Sequence, residues 1–211
     1  MRERVKNSSD WDVAIVGGGM VGVSLALLLG EFLPASVRIL LLEGFPLPEK
    51  DSGFGSAYSP SFDARSTALS YSSYQIYRKL GIWPTLAQRS CPIRQIHVSE
   101  RGRFGSTLLQ AEDYHWEAMG YVVENAWLGT ALIQALHEQD RVVMRSPTRV
   151  EQVESFAGGY RLQVDQGEAI NADLLVVADG ADSQLRQNLG IDVERRAYDQ
   201  HALIANIGHA S

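Results

Sequence analysis

One segment near the start of the chain restricts the fold more than any other. It contains, in order, an apolar run, a glycine-rich turn, a strongly apolar stretch, a second apolar run and an acid. These parts are Asp12–Val16, Gly17–Gly22, Met20 to about Leu33, Val37–Leu42 and Glu43. The turn fits the pattern G-x-G-x-x-G. A strand, such a turn, a helix and a second strand that ends on an acid predict a βαβ dinucleotide-binding unit.

Each glycine of the pattern has a separate expected role. Gly17 permits the tight turn, Gly19 leaves out a Cβ so that a pyrophosphate can approach the backbone, and Gly22 lets the helix pack close to the strand. Taken alone, the pattern also fits a glycine-rich turn in an unrelated protein. The flanking strands, helix and acid favour the nucleotide site.

Two further parts of this unit are expected to bind the nucleotide. The N–H groups at the start of the helix, including those of Met20 and Val21, favour a phosphate. Glu43 follows Gly22 by 21 residues, where a carboxylate can accept hydrogen bonds from both hydroxyls of an adenosine ribose. The same carboxylate repels a 2′-phosphate, so we expect NADP to be rejected at this position.

Composition excludes several other classes of protein. The 211 residues have a net charge of −6 and no basic cluster, which argues against nucleic-acid binding. The single cysteine, Cys91, cannot form an internal disulfide and indicates a reducing compartment. The five histidines have no metal-ligand spacing, so we expect no metal. The longest apolar run is too short to span a bilayer, which leaves peripheral membrane contact open.

The rest of the chain predicts an α/β protein with inserted elements. After a long loop at Gly44–Ser61, helices are expected at 70–80, 83–89 and 126–138, and strands at 93–100, 103–109 and 142–144. The segment 120–123 is a short apolar stretch that leads into the last of these helices. A glycine turn at 158–159 predicts a hairpin of 149–156 with 160–165. The apolar run 172–178 predicts a strand at the centre of a parallel sheet. A short helix to about 188 and a final strand, Tyr198–Ile207, complete the pattern.

A second motif, Leu174–Arg186, is more specific than the first. An apolar strand leads into Asp179-Gly180, and Ser183 and Arg186 follow. Gly180 permits a sharp turn beside a cofactor, Asp179 can fix loop N–H groups near a pyrophosphate, and Ser183 can cap the next helix. An ordinary strand-to-helix turn is the alternative. The segment resembles the Asp-Gly fingerprint of FAD-dependent aromatic monooxygenases of the p-hydroxybenzoate hydroxylase type.

Two other stretches resemble the ubiquinone-biosynthesis branch of that family, and most closely the 2-polyprenyl-6-methoxyphenol hydroxylases. Phe62–Ser70 is similar to the segment in which an arginine, here Arg65, contacts the flavin. Tyr121–Asn125 is similar to the turn that approaches the ribityl chain, which implies a cofactor contact for Asn125. The resemblance covers the chain from Trp11 onward.

The resemblance implies a Rossmann-like FAD-binding domain with inserted helices, a β-hairpin or meander and the start of a substrate-domain sheet. It implies the following division: a flexible N-terminus at 1–10, the FAD-binding domain at 11–90 and 120–190, inserted substrate-domain strands at 91–119, and the start of the substrate-domain sheet at 191–211. Members of the family are considerably longer, so the chain is expected to be an N-terminal portion that is inactive alone.

The implied activity is hydroxylation of a polyprenylated phenol by FAD, with O2 and a transient NAD(P)H reductant. No residue is assigned a catalytic role. A cytoplasmic protein is expected, in contact with the inner face of the membrane or with other enzymes of quinone biosynthesis. Two alternatives remain at this stage: an NAD-dependent oxidoreductase on the same βαβ unit, and an inactive nucleotide-binding fragment or scaffold.

Overall fold

The structure, a computed structural model, describes residues 11–50, 65–199, 201 and 203. By compactness the chain divides into two units. The first unit comprises 1–61 and 132–211, and the second comprises 62–131. This division does not test the functional domain boundaries given above, which remain predictions.

Helices and strands are interspersed along the chain. The strands are β1 Trp11–Val16, β2 Ile39–Leu42, β3 Ser66–Ser70, β4 Ser90–Ile93, β5 Gln95–Ser99, β6 Ser106–Gln110, β7 Gly120–Glu124, β8 Val142–Arg145, β9 Val150–Phe156, β10 Gly159–Val164 and β11 Ala169–Val177. The helices are α1 Met20–Phe32, α2 Tyr71–Lys79, α3 Trp83–Ala87, α4 Asn125–Glu138 and α5 Gln184–Asn188.

The first unit contains a six-stranded sheet in the order β8-β2-β1-β11-β10-β9. The first four of these strands are parallel, whereas β10 and β9 are antiparallel additions. All four residues of β2 are fully buried, as expected for a strand inside a parallel sheet. The α/β fold class and the predicted βαβ unit are therefore confirmed.

Apolar side chains of the sheet and of α5 form the core cluster of this unit. Its buried members are Ala14, Val16, Leu40, Leu42, Val150, Val153, Leu162, Val164, Ile170, Ala172 and Leu185. Those on β1, β2, β10 and β11 alternate because successive side chains of a strand point to opposite faces. The two on β9 are three residues apart, at an irregularity in its pairing with β10. The predicted hairpin β9–β10 thus contributes to the same core as the βαβ unit.

The second unit contains a three-stranded antiparallel sheet, β3-β7-β4, and a separate two-stranded hairpin, β5-β6. Helix α2 begins after Ser70, whose Oγ accepts a hydrogen bond from the N–H of Ser73 at 3.2 Å. Five aromatic rings pack in sequence around α2 and β7. They are Tyr71, Tyr74, Trp83, Trp116 and Tyr121, with successive ring centroids 4.0–5.6 Å apart.

Three expectations from the sequence need correction. The strands β3, β4 and β7 were not predicted; β4 is a short edge strand with an internal proline, a residue that weakens any strand pattern. β11 lies in a mixed sheet, parallel to β1 but antiparallel to β10. The expected strand Tyr198–Ile207 is wrong for its described residues 198, 199, 201 and 203, which are irregular. The rest of that stretch, the N-terminus 1–10 and most of the loop 44–61 lie outside the described residues.

Candidate functional site

The glycine-rich turn lies between the end of β1 and the start of α1. Gly17 has φ +114°, a conformation that L side chains rarely adopt, and its N–H donates to the carbonyl oxygen of Leu42 at 2.8 Å. A Cβ at this position would overlap the carbonyl group of Ala178 and lie 2.8 Å from the nitrogen of Asp179. The first motif therefore packs backbone to backbone against the second.

Gly22 closes the turn from the helix side. A Cβ at Gly22 would overlap the carbonyl oxygen of Gly17 and lie 3.0 Å from its carbonyl carbon, and 3.5 Å from Cγ2 of Ile15 on β1. The absence of a side chain lets the first turn of α1 approach both the glycine-rich turn and the strand. This contact sets the direction in which the helix leaves the sheet.

The start of α1 presents its backbone to a ligand without a competing side chain. Gly19 is the N-cap with extended backbone, and no side chain caps the helix. The first intrahelical bond at this end runs from the N–H of Val23 to the carbonyl of Gly19 at 3.0 Å. The N–H groups of Met20 and Val21 precede that bond and lie at the positive end of the helix dipole. A phosphate group fits this geometry.

Glu43 contacts the same turn through both carboxylate oxygens. Oε2 accepts a hydrogen bond from the N–H of Gly18 at 2.5 Å, and Oε1 accepts one from the N–H of Phe45 at 2.8 Å. A Cβ at Gly18 would lie 2.8 Å from the Cβ of Glu43, so the middle glycine is needed for this approach. Each carboxylate oxygen keeps acceptor capacity for a hydroxyl group. The sequence pattern assigns no role to Gly18; the run of three glycines was the available signal.

The Asp-Gly pair lies at the carboxyl end of β11, next to the end of β1. The N–H of Ala178 donates to the carbonyl of Val16 at 2.7 Å, which joins the two strand ends. Asp179 is exposed, and Gly180 has φ +95° with no described atom within 4 Å of a Cβ built on it. The turn therefore faces open space at the edge of the sheet where a ligand is expected.

The helix after the Asp-Gly pair is capped as predicted. Ser183 is 3% exposed, and its Oγ accepts a hydrogen bond from the N–H of Arg186 at 3.0 Å. The guanidinium of Arg186 donates to the carbonyl of Ala181 at 2.9 Å. Ser183 and Arg186 thus hold the loop that contains Asp179 and Gly180.

Arg65 and Asn125 belong to the second unit, where the structure brings them together. The N–H of Asn125 donates to the carbonyl of Arg65 at 2.8 Å, and Oγ1 of Thr67 donates to Oδ1 of Asn125 at 2.5 Å. Asn125 is 3% exposed, whereas Arg65 is exposed. Asn125 therefore holds the backbone beside Arg65. Thr67, the residue that fixes Asn125, was not singled out from the sequence.

The predicted site residues form two groups, each within one unit. The first group lies along the carboxyl edge of β1 and β11 and consists of Gly17, Gly19, Met20, Val21, Gly22, Glu43, Asp179 and Gly180. The second group is Arg65 with Asn125. Among the described residues, no group of three or more His, Cys, Asp or Glu side chains is placed to hold a metal ion. Within the same residues, no helix is long and apolar enough to cross a bilayer.

The group along the sheet edge has the features that an FAD adenylate and pyrophosphate require. The positive end of helix α1 follows the glycine-rich turn, which has no side chains to block a phosphate. Glu43 offers its two carboxylate oxygens as hydrogen-bond acceptors, and the Asp-Gly turn borders open space. The residues present therefore fit this cofactor.

Comparison with known proteins agrees with this geometry. The family model described as "FAD binding domain" matches residues 10–210. The 3-demethoxyubiquinol 3-hydroxylase of Escherichia coli (strain K12) is 33% identical over 197 residues, which are 93% of this chain and 48% of that protein. The ubiquinone hydroxylase UbiL of Rhodospirillum rubrum is 30% identical over 94% of this chain and 44% of that protein. The chain thus spans about half the length of the curated relatives it matches.

Solved structures show the same fold. OxyS, an anhydrotetracycline hydroxylase from Streptomyces rimosus, matches with a TM-score of 0.69 and 20% identity over 89% of this chain and 35% of that chain. The p-nitrophenol 4-monooxygenase PnpA from Pseudomonas putida matches with a TM-score of 0.66 and 19% identity over 86% of this chain and 44% of that chain. At these identities the likeness concerns the fold alone.

Proposed function

This chain belongs to the FAD-binding domain family, and from that premise we propose that it is the FAD-binding portion of a flavin-dependent monooxygenase. The proposed reaction is hydroxylation of the aromatic ring of a polyprenylated phenol in ubiquinone biosynthesis. The proposed co-substrates are O2 and NAD(P)H.

One observation carries the proposal. The Gly17 backbone lies directly against the peptide that joins Ala178 to Asp179, although the two motifs are far apart in the chain. A βαβ turn by itself would serve an NAD-dependent oxidoreductase equally well. Its contact with the Asp-Gly turn, together with family membership, favours FAD.

The substrate is proposed from the names of the two relatives described above, a 3-demethoxyubiquinol 3-hydroxylase and a ubiquinone hydroxylase. They are at least 30% identical to this chain, but the chain spans only about half of their length. The substrate and the overall activity therefore belong to the proposal.

The chain's own residues bind and orient the cofactor. Bound FAD would supply the redox chemistry that activates O2 and transfers one oxygen atom to an electron-rich ring. The N–H groups of Met20 and Val21 would neutralise the pyrophosphate, and Glu43 would accept hydrogen bonds from the ribose hydroxyls. Asp179 would order the loop beside the pyrophosphate. Arg65, held by Asn125, would contact the flavin.

The proposed substrate suggests where the protein works. Each buried methylene is worth about 0.8 kcal/mol, so a long prenyl chain will not leave a bilayer for water. The enzyme must meet it at a membrane surface or in an assembly that covers the chain. We therefore place the protein in the cytoplasm, at the inner face of the membrane or in a complex of quinone-biosynthesis enzymes.

The first experiment tests cofactor binding at the turn. Gly19 has φ −73° and ψ −178°, a backbone conformation that valine also adopts, so Gly19→Val adds bulk at the N-cap without requiring a left-handed backbone. We expect purified wild-type protein to show flavin absorption at about 450 nm and the variant to lose most of it. Ser72→Val, on an exposed position of the first turn of α2, is the matched control. Equal flavin content in wild type and Gly19→Val would remove the proposed site, and a colourless wild type would favour a scaffold.

The second experiment separates binding from folding. Arg65 and Asp179 are exposed, so alanine at either position is expected to weaken flavin binding and leave the melting temperature nearly unchanged. Fluorescence titration with FAD and a thermal melt measure the two effects. A melt that collapses with either substitution would assign that residue a structural role instead.

The third experiment tests the substrate. Deleting the gene is expected to deplete ubiquinone and to accumulate a less hydroxylated prenylphenol, both measured by mass spectrometry of lipid extracts. Normal ubiquinone without such an intermediate would contradict the quinone assignment and leave hydroxylation of another phenol as the activity.

A further inference from the structure

The hairpin β5–β6 of the second unit ends in a charged, glycine-containing turn that carries one large apolar side chain. The turn occupies residues 100–105, and Phe104 stands in it with a fully exposed side chain. Gly102 and Gly105 lie on either side of it in the left-handed region, with φ +81° and +106°, and no described atom lies within 4 Å of a Cβ built on either. The Phe104 ring is therefore presented at the end of the hairpin, where no core residue covers it.

Apolar side chains continue from the turn along the strands. Ile96 and Val98 share one face of β5, because alternate residues of a strand point the same way, and they are 37% and 56% exposed. Leu108, on the other face of the hairpin, is 50% exposed. The exposed apolar side chains therefore lie on both faces of the hairpin, and Phe104 at its tip is the most exposed of them.

Cationic side chains stand beside Phe104 in the same turn. Arg101 and Arg103 are both exposed, and Arg103 also forms an ion pair with Glu100 at 3.1 Å. The second unit contains seven Lys and Arg against six Asp and Glu, whereas the rest of the chain contains 12 against 19. The turn that carries Phe104 thus lies in the part of the chain that an anionic surface repels least.

We propose that the β5–β6 turn docks on an anionic lipid bilayer, with the Phe104 ring inserted among the lipids and Arg101 against the headgroups. An aromatic ring with basic neighbours suits the boundary between hydrocarbon and headgroups. The occupant is a bilayer because the turn combines an apolar tip with positive charge, and only a surface that is both apolar and anionic complements both. This inference rests on the proposed function for its biological purpose, delivery of an apolar substrate. The docking itself is tested without flavin or substrate.

Co-sedimentation of the full chain with vesicles tests the docking. We expect binding to vesicles of phosphatidylglycerol with phosphatidylethanolamine, and weaker binding to vesicles of phosphatidylcholine. Phe104→Ser is expected to lower the partition coefficient about tenfold or more, from the transfer free energy of a phenylalanine side chain. Arg101→Gln is expected to lower it about fivefold, and less at high salt.

Phe156 provides the matched control. It is 45% exposed and ends the first strand of the other hairpin, β9–β10, in the acidic first unit. Phe156→Ser removes the same kind of side chain from a less exposed position, where the Arg161 guanidinium lies 6.0 Å from the ring centroid, and is expected to leave vesicle binding unchanged. Equal losses for Phe104→Ser and Phe156→Ser would overturn the proposal, because the effect would then follow general hydrophobicity.

A probe at the turn reports insertion directly. With Cys91, the single cysteine, replaced by serine, an environment-sensitive dye on Phe104→Cys should shift to the blue on anionic vesicles, and the same dye on Phe156→Cys should not. Absence of the shift at 104 would overturn the proposal. So would light scattering that shows the turn joining two copies of the chain. Flavin content measured on the same samples keeps the two proposals separate, since a failure of vesicle binding with normal flavin content concerns only the turn.

Discussion

Gly17→Ala tests the contact between the two motifs, on which the proposed site depends. The new methyl group would overlap the carbonyl of Ala178, a backbone atom that cannot swing aside as a flexible side chain would. Alanine must also adopt φ +114° or shift the turn away from Leu42, whose carbonyl accepts the Gly17 N–H. Two separate costs therefore act at one residue.

The two costs have known sizes. A left-handed conformation costs a non-glycine residue about 1–2 kcal/mol, and overpacking against a rigid neighbour costs about 1–3 kcal/mol. Together they predict a loss of about 2–5 kcal/mol in the free energy of unfolding. For a chain of this length each kcal/mol lowers Tm by about 2–4 °C. The expected fall in Tm for Gly17→Ala is therefore about 4–20 °C.

Two matched variants separate the contributions. Gly190→Ala adds a Cβ at φ +71° with no described atom within 4 Å, so it carries the conformational cost alone. Gly22→Ala lies in a helix and carries only the collision with Gly17. Circular dichroism melts and urea titrations should show a larger loss of stability for Gly17→Ala and for Gly22→Ala than for Gly190→Ala. If Gly17→Ala and Gly190→Ala lower the free energy of unfolding by the same amount, the close contact between Gly17 and Ala178 is refuted.

Three other substitutions test single contacts. Glu43→Gln should lower the free energy of unfolding by about 1 kcal/mol in urea titrations, since the amide nitrogen cannot accept the N–H it would face; an unchanged value would contradict the two hydrogen bonds. Thr67→Val should cost about 1 kcal/mol in the same assay, because it removes the hydrogen bond that the Thr67 hydroxyl donates to Oδ1 of the buried Asn125; a loss no larger than that of the exposed Thr107→Val would refute this role. Burial, and next the Glu117 carboxylate, raise the pKa of Tyr121 above 10.0. The stability contributed by the neutral phenol is therefore fully present below pH 10 and is lost as pH rises through the folded-state pKa. Tyr121→Phe should make the stability curve flatter in that alkaline range, and an unchanged slope would show that burial does not disfavour the phenolate.

The sequence was most informative where structure depends on neighbouring residues. β1, the turn, α1 and β2 were predicted nearly to the residue, because strand periodicity, glycine conformation and helix length are all local properties. The Ser183 cap and the end of α5 before Gly190 were predicted for the same reason. Sequence patterns also identified the Asp-Gly motif and the family.

Only the tertiary structure decided which distant residues meet. The Glu43 carboxylate accepts a hydrogen bond from the N–H of Gly18, 25 residues away, and a local sequence pattern cannot predict that contact. The same holds for Thr67 with Asn125, separated by 58 residues, and for Gly17 against Ala178. The strand β4, which has a weak pattern of its own, exists through its pairing with β7. Sheet order and side-chain contacts depend on how elements pack in space, whereas the pattern of apolar residues and glycines depends only on the chain itself.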